Sequence, residues 1–332
     1  MDSLTQIALG IAVAEVVAGK TLKNRTFLYG AVLGTLPDLD VLAGRFLSPV
    51  DAAAIHRGIS HSILLFAVGT PLLAYGISQW EKQRIGFKQA AVMVFLCLFT
   101  HSLLDVFTTW GTQVFWPLPE RLAWKTIFVI DPLYTLPLLV ALFFVWKNKA
   151  TAQRRLWVKR GLWWSSCYLL LTVGLKLYSL HQFEKALQAQ GLDYSELIVK
   201  PTPLNTILWQ ANVKTVGGDY LLADYSLLDS QPITFTTYRT HPELKQQLAQ
   251  VADFKKLQVI SEGWYLVTEK NGRLYYNDLR FGLLDTNPDN PVFVFSYEFV
   301  PSKNGLQAVE VVKEKRDGKK LIYKILNRIK GN

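Results

Sequence analysis

Seven ionisable residues crowd a short part of the chain: Asp38 and Asp40 in "PDLD", His56, Arg57 and His61 in "HRGISH", and His101 and Asp105 in "HSLLD". On a helix, a separation of four puts His101 and Asp105 on one face, a turn apart, where both can bind one ion. Pro37 interrupts a helical stretch and leaves two carboxylates at its end. His56 and His61 add two imidazoles, with Arg57 between them to hold an anion through paired hydrogen bonds. Nitrogen and carboxylate donors without thiolate suit Zn²⁺ first, with Mn²⁺ or Fe²⁺ as alternatives. An open position on such an ion brings bound water to a pKa of ~7, which is hydrolytic chemistry. Asp40 is the spare carboxylate, either a further ligand or a general base. The other two histidines, His181 and His241, read as surface residues.

The elements that must position these groups are apolar. Half of the 332 residues are hydrophobic, and residues 62–80, 89–104, 132–146 and 161–175 are nearly uncharged runs. Runs of this length span, or nearly span, a hydrocarbon core ~30 Å thick. "MDSLTQIALGIAVAEVVAGK" lacks the basic start of a secretory signal and reads as a retained first helix. Residues 26–43 make a second, broken by Pro37. The expectation is an α-helical integral membrane domain of about six hydrophobic helices over residues 1–180. Cys97 and Cys167 both lie inside apolar runs and read as small core residues, not a disulfide or metal pair.

Charge sets the expected orientation. Of the net +10, residues 1–180 carry most, with 17 Lys/Arg against 9 Asp/Glu; the remainder has 19 against 17. The excess sits in short loops beside apolar runs, which points to helix orientation and not to nucleic acid. "KNKATAQRRLWVKR" (147–160) has no acidic residue and is expected inside, along with loops 20–25 and 81–88. Every candidate site residue then falls near the outer face, together with Asp2, Thr5, Gln6 and Asp131. Ionisable groups collected at one membrane depth are costly and usually mark a site.

"MDSLTQ", "GTLPDLDVL", "HRGISHS", "HSLLDVFTTWGTQVFWP" and "IFVIDPLYTLPLL" closely resemble the membrane-bound metal-dependent hydrolases, also described as LexA-binding, inner-membrane-associated hydrolases. The resemblance covers about residues 1–180. It implies a bacterial inner-membrane enzyme using Asp38, His56, His61, His101 and Asp105 to bind metal. The pattern also resembles zinc phospholipase C and the single-strand-specific nucleases, which implies phosphoester hydrolysis. Many family members begin Asp-x-x-Thr-His, whereas Gln6 stands where that histidine falls. Either a metal position is lost or Gln6 sits behind the ligands. In "DVFTTWGTQVFWP" (105–117), Thr108, Thr109 and Gln113 suit a headgroup, and Trp110, Phe115 and Trp116 suit an aromatic belt equally well.

From residue 181 the pattern becomes that of an α+β domain with a mainly antiparallel sheet, expected to be extracytoplasmic and to cover the site. Strand-like runs include "NTILWQANVKTV", "DYLLADYSLL", "PITFTTYR", "PVFVFSYEFV" and "LQAVEVVKE", with a helix at 241–251 and a hairpin turning at Asn271–Gly272. Asp278 and Arg280 read equally as a strand-end ion pair. The basic amphipathic tail, 319–330, fits an interfacial helix on anionic lipid or a helix docked on its own sheet. The combined expectation is a membrane-embedded, metal-dependent hydrolase of a phosphoester or lipid-linked substrate. Its rival is a scaffold or metal-binding protein whose polar cluster is structural.

Overall fold

The computed structural model describes residues 1–285, 291–303, 305–312 and 318–332. The chain forms two compact units: Met1–Leu42, Ile55–Gly174 and Pro203–Asn205 make one, and Ala43–Ala54, Leu175–Thr202 and Thr206–Asn332 the other. The boundary expected at residue 180 falls inside a single helix, α8 (Thr151–Ala189), which contributes residues to both.

The first unit is built from α1 (Ser3–Leu22), α2 (Arg25–Thr35), a 3₁₀ turn (Leu36–Leu39), the start of α3 (Asp40–Gly44), α5 (Ile63–Trp80), α6 (Phe87–Val106), α7 (Pro132–Lys147) and the first part of α8. Between α3 and α5 lies the short α4 (Pro49–Ile55). Among the described residues, four helical stretches are long and apolar enough to cross a membrane: Ser3–Leu22, Arg25–Gly44, Ile63–Trp80 and Phe87–Val106. The expected six spans are therefore not all shown. Helix α7, at 16 residues, reaches only ~24 Å at ~1.5 Å per residue. In α8 the apolar run is diluted by Ser, Trp and Lys176. Leu64, Val68, Leu72 and Tyr75 make an exposed stripe along α5, and Leu133, Leu136, Val140 and Phe143 another on α7. Stripes of this extent are what a bilayer covers.

Inside this unit, α1 and α2 touch backbone to backbone. Gly30 and Gly34 form a small-xxx-small pair on α2, and a Cβ on Gly30 would lie 2.4 Å from the Cα of Ile11. At Gly34 it would lie 2.5 Å from the carbonyl oxygen of Gln6. This contact holds the polar start of α1 against the end of α2, where the chain breaks at Pro37. Around it pack Ala8, Ala12, Met93, Val94 and Cys97, all nearly inaccessible.

Among the described residues the second unit holds two four-stranded antiparallel sheets where one was expected, ordered β1-β2-β3-β4 and β5-β6-β7-β8. Their strands are β1 (Tyr194–Pro201), β2 (Leu208–Thr215), β3 (Tyr220–Ser226), β4 (Thr236–Tyr238), β5 (Tyr265–Lys270), β6 (Arg273–Asp285), β7 (Val292–Ser302) and β8 (Gly305–Glu310). Strand β1, "YSELIVKP", has no apolar alternation in its first half and was not expected. Asn271 and Gly272 turn the β5–β6 hairpin with φ of 54° and 72°, the paired left-handed geometry that tight hairpins favour. The helix expected at 241–251 is a shorter α9 (Pro242–Leu248), followed by α10 (Ala252–Ile260). Arg280 pairs with Asp278 at 2.8 Å in the interior, so this pair is structural. Residues 43–54 pack here as well: Val50 joins Leu248, Phe254 and Leu257, and Asp51 accepts from Lys256 at 2.5 Å. The last helix, α11 (Gly318–Ile329), is tied to the end of β3 by Arg328 on Asp229 and by Ser226, whose hydroxyl donates to the Ile329 carbonyl at 2.6 Å. Ile322, Tyr323 and Leu326 remain exposed on it. Residues 313 and 314 of the last expected strand, and the Lys320 side chain of the tail, lie outside the described residues.

Candidate metal centre

Three segments of the first unit bring four donor atoms together. Asp38 comes from the 3₁₀ turn after α2, His61 from the short turn Ile59–His61 before α5, and His101 and Asp105 from one face of α6. One donor atom from each lies within 4.8 Å of all the others. His61 Nε2 is 3.2 Å from His101 Nε2, 3.4 Å from Asp38 Oδ1 and 3.3 Å from Asp105 Oδ2. His101 Nε2 is 3.5 Å from both carboxylates. Ligands at ~2.0–2.2 Å from a tetrahedral centre are separated by about 3.3–3.6 Å, so these spacings fit one ion.

Protonation points the same way. His101 Nδ1 lies 2.7 Å from the carbonyl oxygen of Gly34, which can only accept, so Nδ1 carries a proton and, in the neutral ring, Nε2 offers its lone pair. His61 Nδ1 lies 2.9 Å from Ser60 Oγ, and that hydroxyl donates to Asp40 Oδ2 at 3.0 Å. Its remaining role toward His61 is acceptor, so His61 Nε2 also faces inward as a lone pair. Asp105 Oδ2 is fully buried with no hydrogen-bond partner among the described residues. With both rings neutral, two nitrogen lone pairs and two carboxylate oxygens converge here. A divalent cation at the centre would satisfy all of these buried acceptors at once. The residues present fit a divalent metal.

The outer contacts hold this geometry. Asp105 Oδ1 accepts from Arg57 Nη2 at 3.1 Å, from Gln6 Nε2 at 3.1 Å and from the Met1 α-ammonium. Gln6, which also reaches the His101 carbonyl at 3.2 Å, therefore stands behind a ligand. Arg57 is buried, with φ of 56°, and its Nη1 donates to Thr108 Oγ1 at 2.8 Å. Two of its nitrogens are engaged by the protein, so Arg57 supports Asp105, while its Nε is buried with no hydrogen-bond partner among the described residues. Thr108 is likewise occupied and is not free for a headgroup.

His56 is the one expected ligand outside the four. Its Nδ1 is 3.2 Å from Asp40 Oδ1 and its ring stands edge-on to Trp110. The reason is the turn itself. Arg57 N and Ser60 Oγ both donate to Asp40 Oδ2, and this wraps the "HRGIS" segment around Asp40 so that only His61 enters the cluster. Asp40 thus orients this turn and lies outside the four-residue group. Asp2 and Asp131 cap α1 and α7, and so hold helix ends rather than metal. Sequence reasoning did not single out Ser60 or the Gly34 carbonyl. A serine beside a histidine carries no distinguishing spacing, but the glycine pair on α2 was a usable sign of close backbone approach.

Residues 1–183 match the protein family described as YdjM inner membrane protein. The chain is also similar to the inner membrane protein YbcI of Escherichia coli (strain K12), at 32% identity over 171 residues, which cover 47% of this chain and 97% of that relative. Neither description states an activity. No solved structure matches the chain.

Proposed function

The chain belongs to the YdjM inner membrane protein family, and from that premise we propose that it is a membrane-embedded, metal-dependent hydrolase of phosphorylated or lipid-linked esters. The observation that carries this reading is the convergence of Asp38, His61, His101 and Asp105. Zn²⁺ is the best match to the donor set, followed by Mn²⁺ and Fe²⁺. The chemistry supplied by such an ion is Lewis acidity toward an ester oxygen. Asp38 is the most accessible of the four, with 19% of its side chain exposed, so substrate enters on its side.

His56 takes a new part in this reading. Asp40 holds its Nδ1 and leaves Nε2 able to accept or deliver a proton next to the cluster. Arg57 keeps Asp105 aimed. We further propose six passes through the membrane, with residues 181–332 outside. The ends of the first unit support it: Asp38, His61, His101 and Asp131 mark one end of successive helices, while Lys23, Glu81, Phe87 and Lys147 mark the other.

A second reading, a structural or metal-storing centre, is favoured by the completeness of the four-ligand set, which leaves no open tetrahedral position. Purified protein is expected to hold about one metal per chain by elemental analysis and to hydrolyse phosphoesters in a chelator-sensitive way. Metal without turnover selects the second reading; no metal ends both. For orientation, a cysteine replacing Lys255, in a chain lacking Cys97 and Cys167, should react with an impermeant reagent on intact spheroplasts, and one replacing Lys159 should not.

A further inference from the structure

At the end of the first unit away from the metal cluster lies a cavity of about 680 Å³, within the ~300–1,000 Å³ usual for small-ligand sites. Its lining brings together three loops distant in sequence: 21–25 between α1 and α2, 81–84 after α5, and 146–151 between α7 and α8. Six cations line it, Lys23, Arg25, Arg84, Lys147, Lys149 and Arg154, against one carboxylate, Glu81.

Two of those cations are already neutralised. Arg154 is buried and forms a two-pronged pair with Glu15, 2.8 Å from Nε to Oε1 and 2.7 Å from Nη2 to Oε2. Its Nη1 donates to Asn24 Oδ1 at 2.6 Å and to the Val145 carbonyl at 2.9 Å. Arg25 pairs with the buried Glu81, which also accepts from the Tyr29 hydroxyl at 2.7 Å. The ion pairs of the described residues leave Lys23, Arg84, Lys147 and Lys149 without a carboxylate. The cavity therefore has two cations already paired and four without a carboxylate among the described residues. Loop cations set for orientation alone need only be on the right side of the bilayer. Here they surround one cavity, and Lys23 does so from a backbone conformation, φ 49° and ψ −128°, that ordinarily belongs to glycine. Trp146, largely exposed, stands on the rim where an aromatic ring meets an interface.

We propose that this cavity binds a phosphate group, of the kind carried by an anionic phospholipid headgroup. Several cations around a pocket between helices are the features that recognise such a headgroup at a membrane surface, and the lysine and arginine rim supplies point charges and hydrogen-bond donors to its oxygens. The site is independent of the metal cluster and of any activity assigned to it.

The test uses full-length protein, delipidated in detergent and returned to nanodiscs of phosphatidylcholine with or without phosphatidylglycerol, with inorganic phosphate added to a third sample. Native mass spectrometry is expected to show one retained phosphatidylglycerol per chain, with a melting temperature several degrees above the phosphatidylcholine sample. The combined variant Arg84→Gln, Lys147→Gln, Lys149→Gln should lose both, at least tenfold in retained lipid, with unchanged metal content as the check on folding. A control of equal charge loss outside the cavity, Arg155→Gln, Lys159→Gln, Arg160→Gln, should keep both. Equal loss in the control overturns the site in favour of diffuse attraction, and full retention in the cavity variant overturns it outright. Stabilisation by inorganic phosphate alone, with no lipid retained, keeps the phosphate chemistry but overturns the headgroup as its source.

Discussion

The first unit contains two buried ionic clusters at its two ends, and they are built on opposite principles. Around Glu15, every charge is answered: Arg154 meets both carboxylate oxygens, Thr26 donates to Oε2 at 2.6 Å, and the leftover guanidinium nitrogen finds oxygen acceptors. Around His61, acceptors face acceptors. The first cluster is complete as folded protein. The second is one that a cation at its centre would complete. Burial alone therefore does not separate structural from functional charge; the balance of donors and acceptors does.

The sharpest test of this contrast is Glu15→Gln. Removing one partner of a buried pair leaves the other uncompensated, at a cost of about 3–5 kcal/mol. Detergent-solubilised variant should melt far below the wild type, measured by circular dichroism, while metal per folded chain stays the same. A variant as stable as wild type would mean the Glu15–Arg154 pair is solvated and the contrast is lost.

His61→Gln should behave the other way. Losing a ligand is expected to weaken metal binding by at least about 100-fold, ~2.7 kcal/mol, as read by competition with a chelating dye. In excess chelator the variant and the wild type should melt within a few degrees of each other, because the empty cluster holds few favourable internal contacts to lose. A large melting difference that persists in chelator would mark the cluster as structural.

Much of this was legible from residue spacing. The i, i+4 pair His101 and Asp105 had to share a helical face, and the proline before Asp38 had to end a helix, so three of the four donors follow from local rules. His61 against His56 did not. Both belong to one short turn, and which imidazole points inward depends on Asp40 gathering Arg57 N and Ser60, a tertiary outcome. The apolar runs marked the membrane unit, but α7 is too short and α8 too mixed to count as spans by composition. The split into two sheets was hidden because β1 lacks alternation where it is exposed.

The ion pair of Asp229 with Arg328, in the second unit, lies between the two extremes and adds pH as a variable. Burial pushes the Asp229 carboxyl up, but its hydrogen bonds with Arg328 outweigh this and hold it below its ordinary value. A carboxylate with a depressed folded pKa stabilises above the unfolded value of ~4, and that contribution is lost as pH falls through the folded value. Helix α11 should therefore loosen in acid. Hydrogen exchange at residues 324–329 is expected to speed up as pH falls from about 5 through the folded value, once corrected for intrinsic rates, by an opening cost of roughly 1.5–2 kcal/mol when the carboxyl is fully protonated. Asp229→Asn should exchange at the faster level at every pH. If the wild type shows no acid-dependent opening, Arg328 does not anchor the helix.

The smallest expected effect tests whether the metal cluster is aimed from behind. Ser60 Oγ accepts from His61 Nδ1 and donates to Asp40, so it fixes which nitrogen of His61 carries the proton. Ser60→Ala leaves Nδ1–H buried without that acceptor and frees the ring to reorient or change tautomer, while all four ligands remain. Partners of this kind typically affect affinity by 10–100-fold, and with Asp40 Oδ2 only 3.9 Å from the same nitrogen the lower end is expected, about tenfold or ~1.4 kcal/mol. Ser60→Thr keeps the hydroxyl and should restore most of the loss. Ser62→Ala is the matched control: its hydroxyl caps α5 through Leu65 N at 3.1 Å, so its replacement should cost ~1 kcal/mol of stability with no change in metal affinity. Equal affinities for Ser60→Ala and wild type would show that His61 is held by the metal alone, and the cluster would then owe its geometry to the ion and not to the fold.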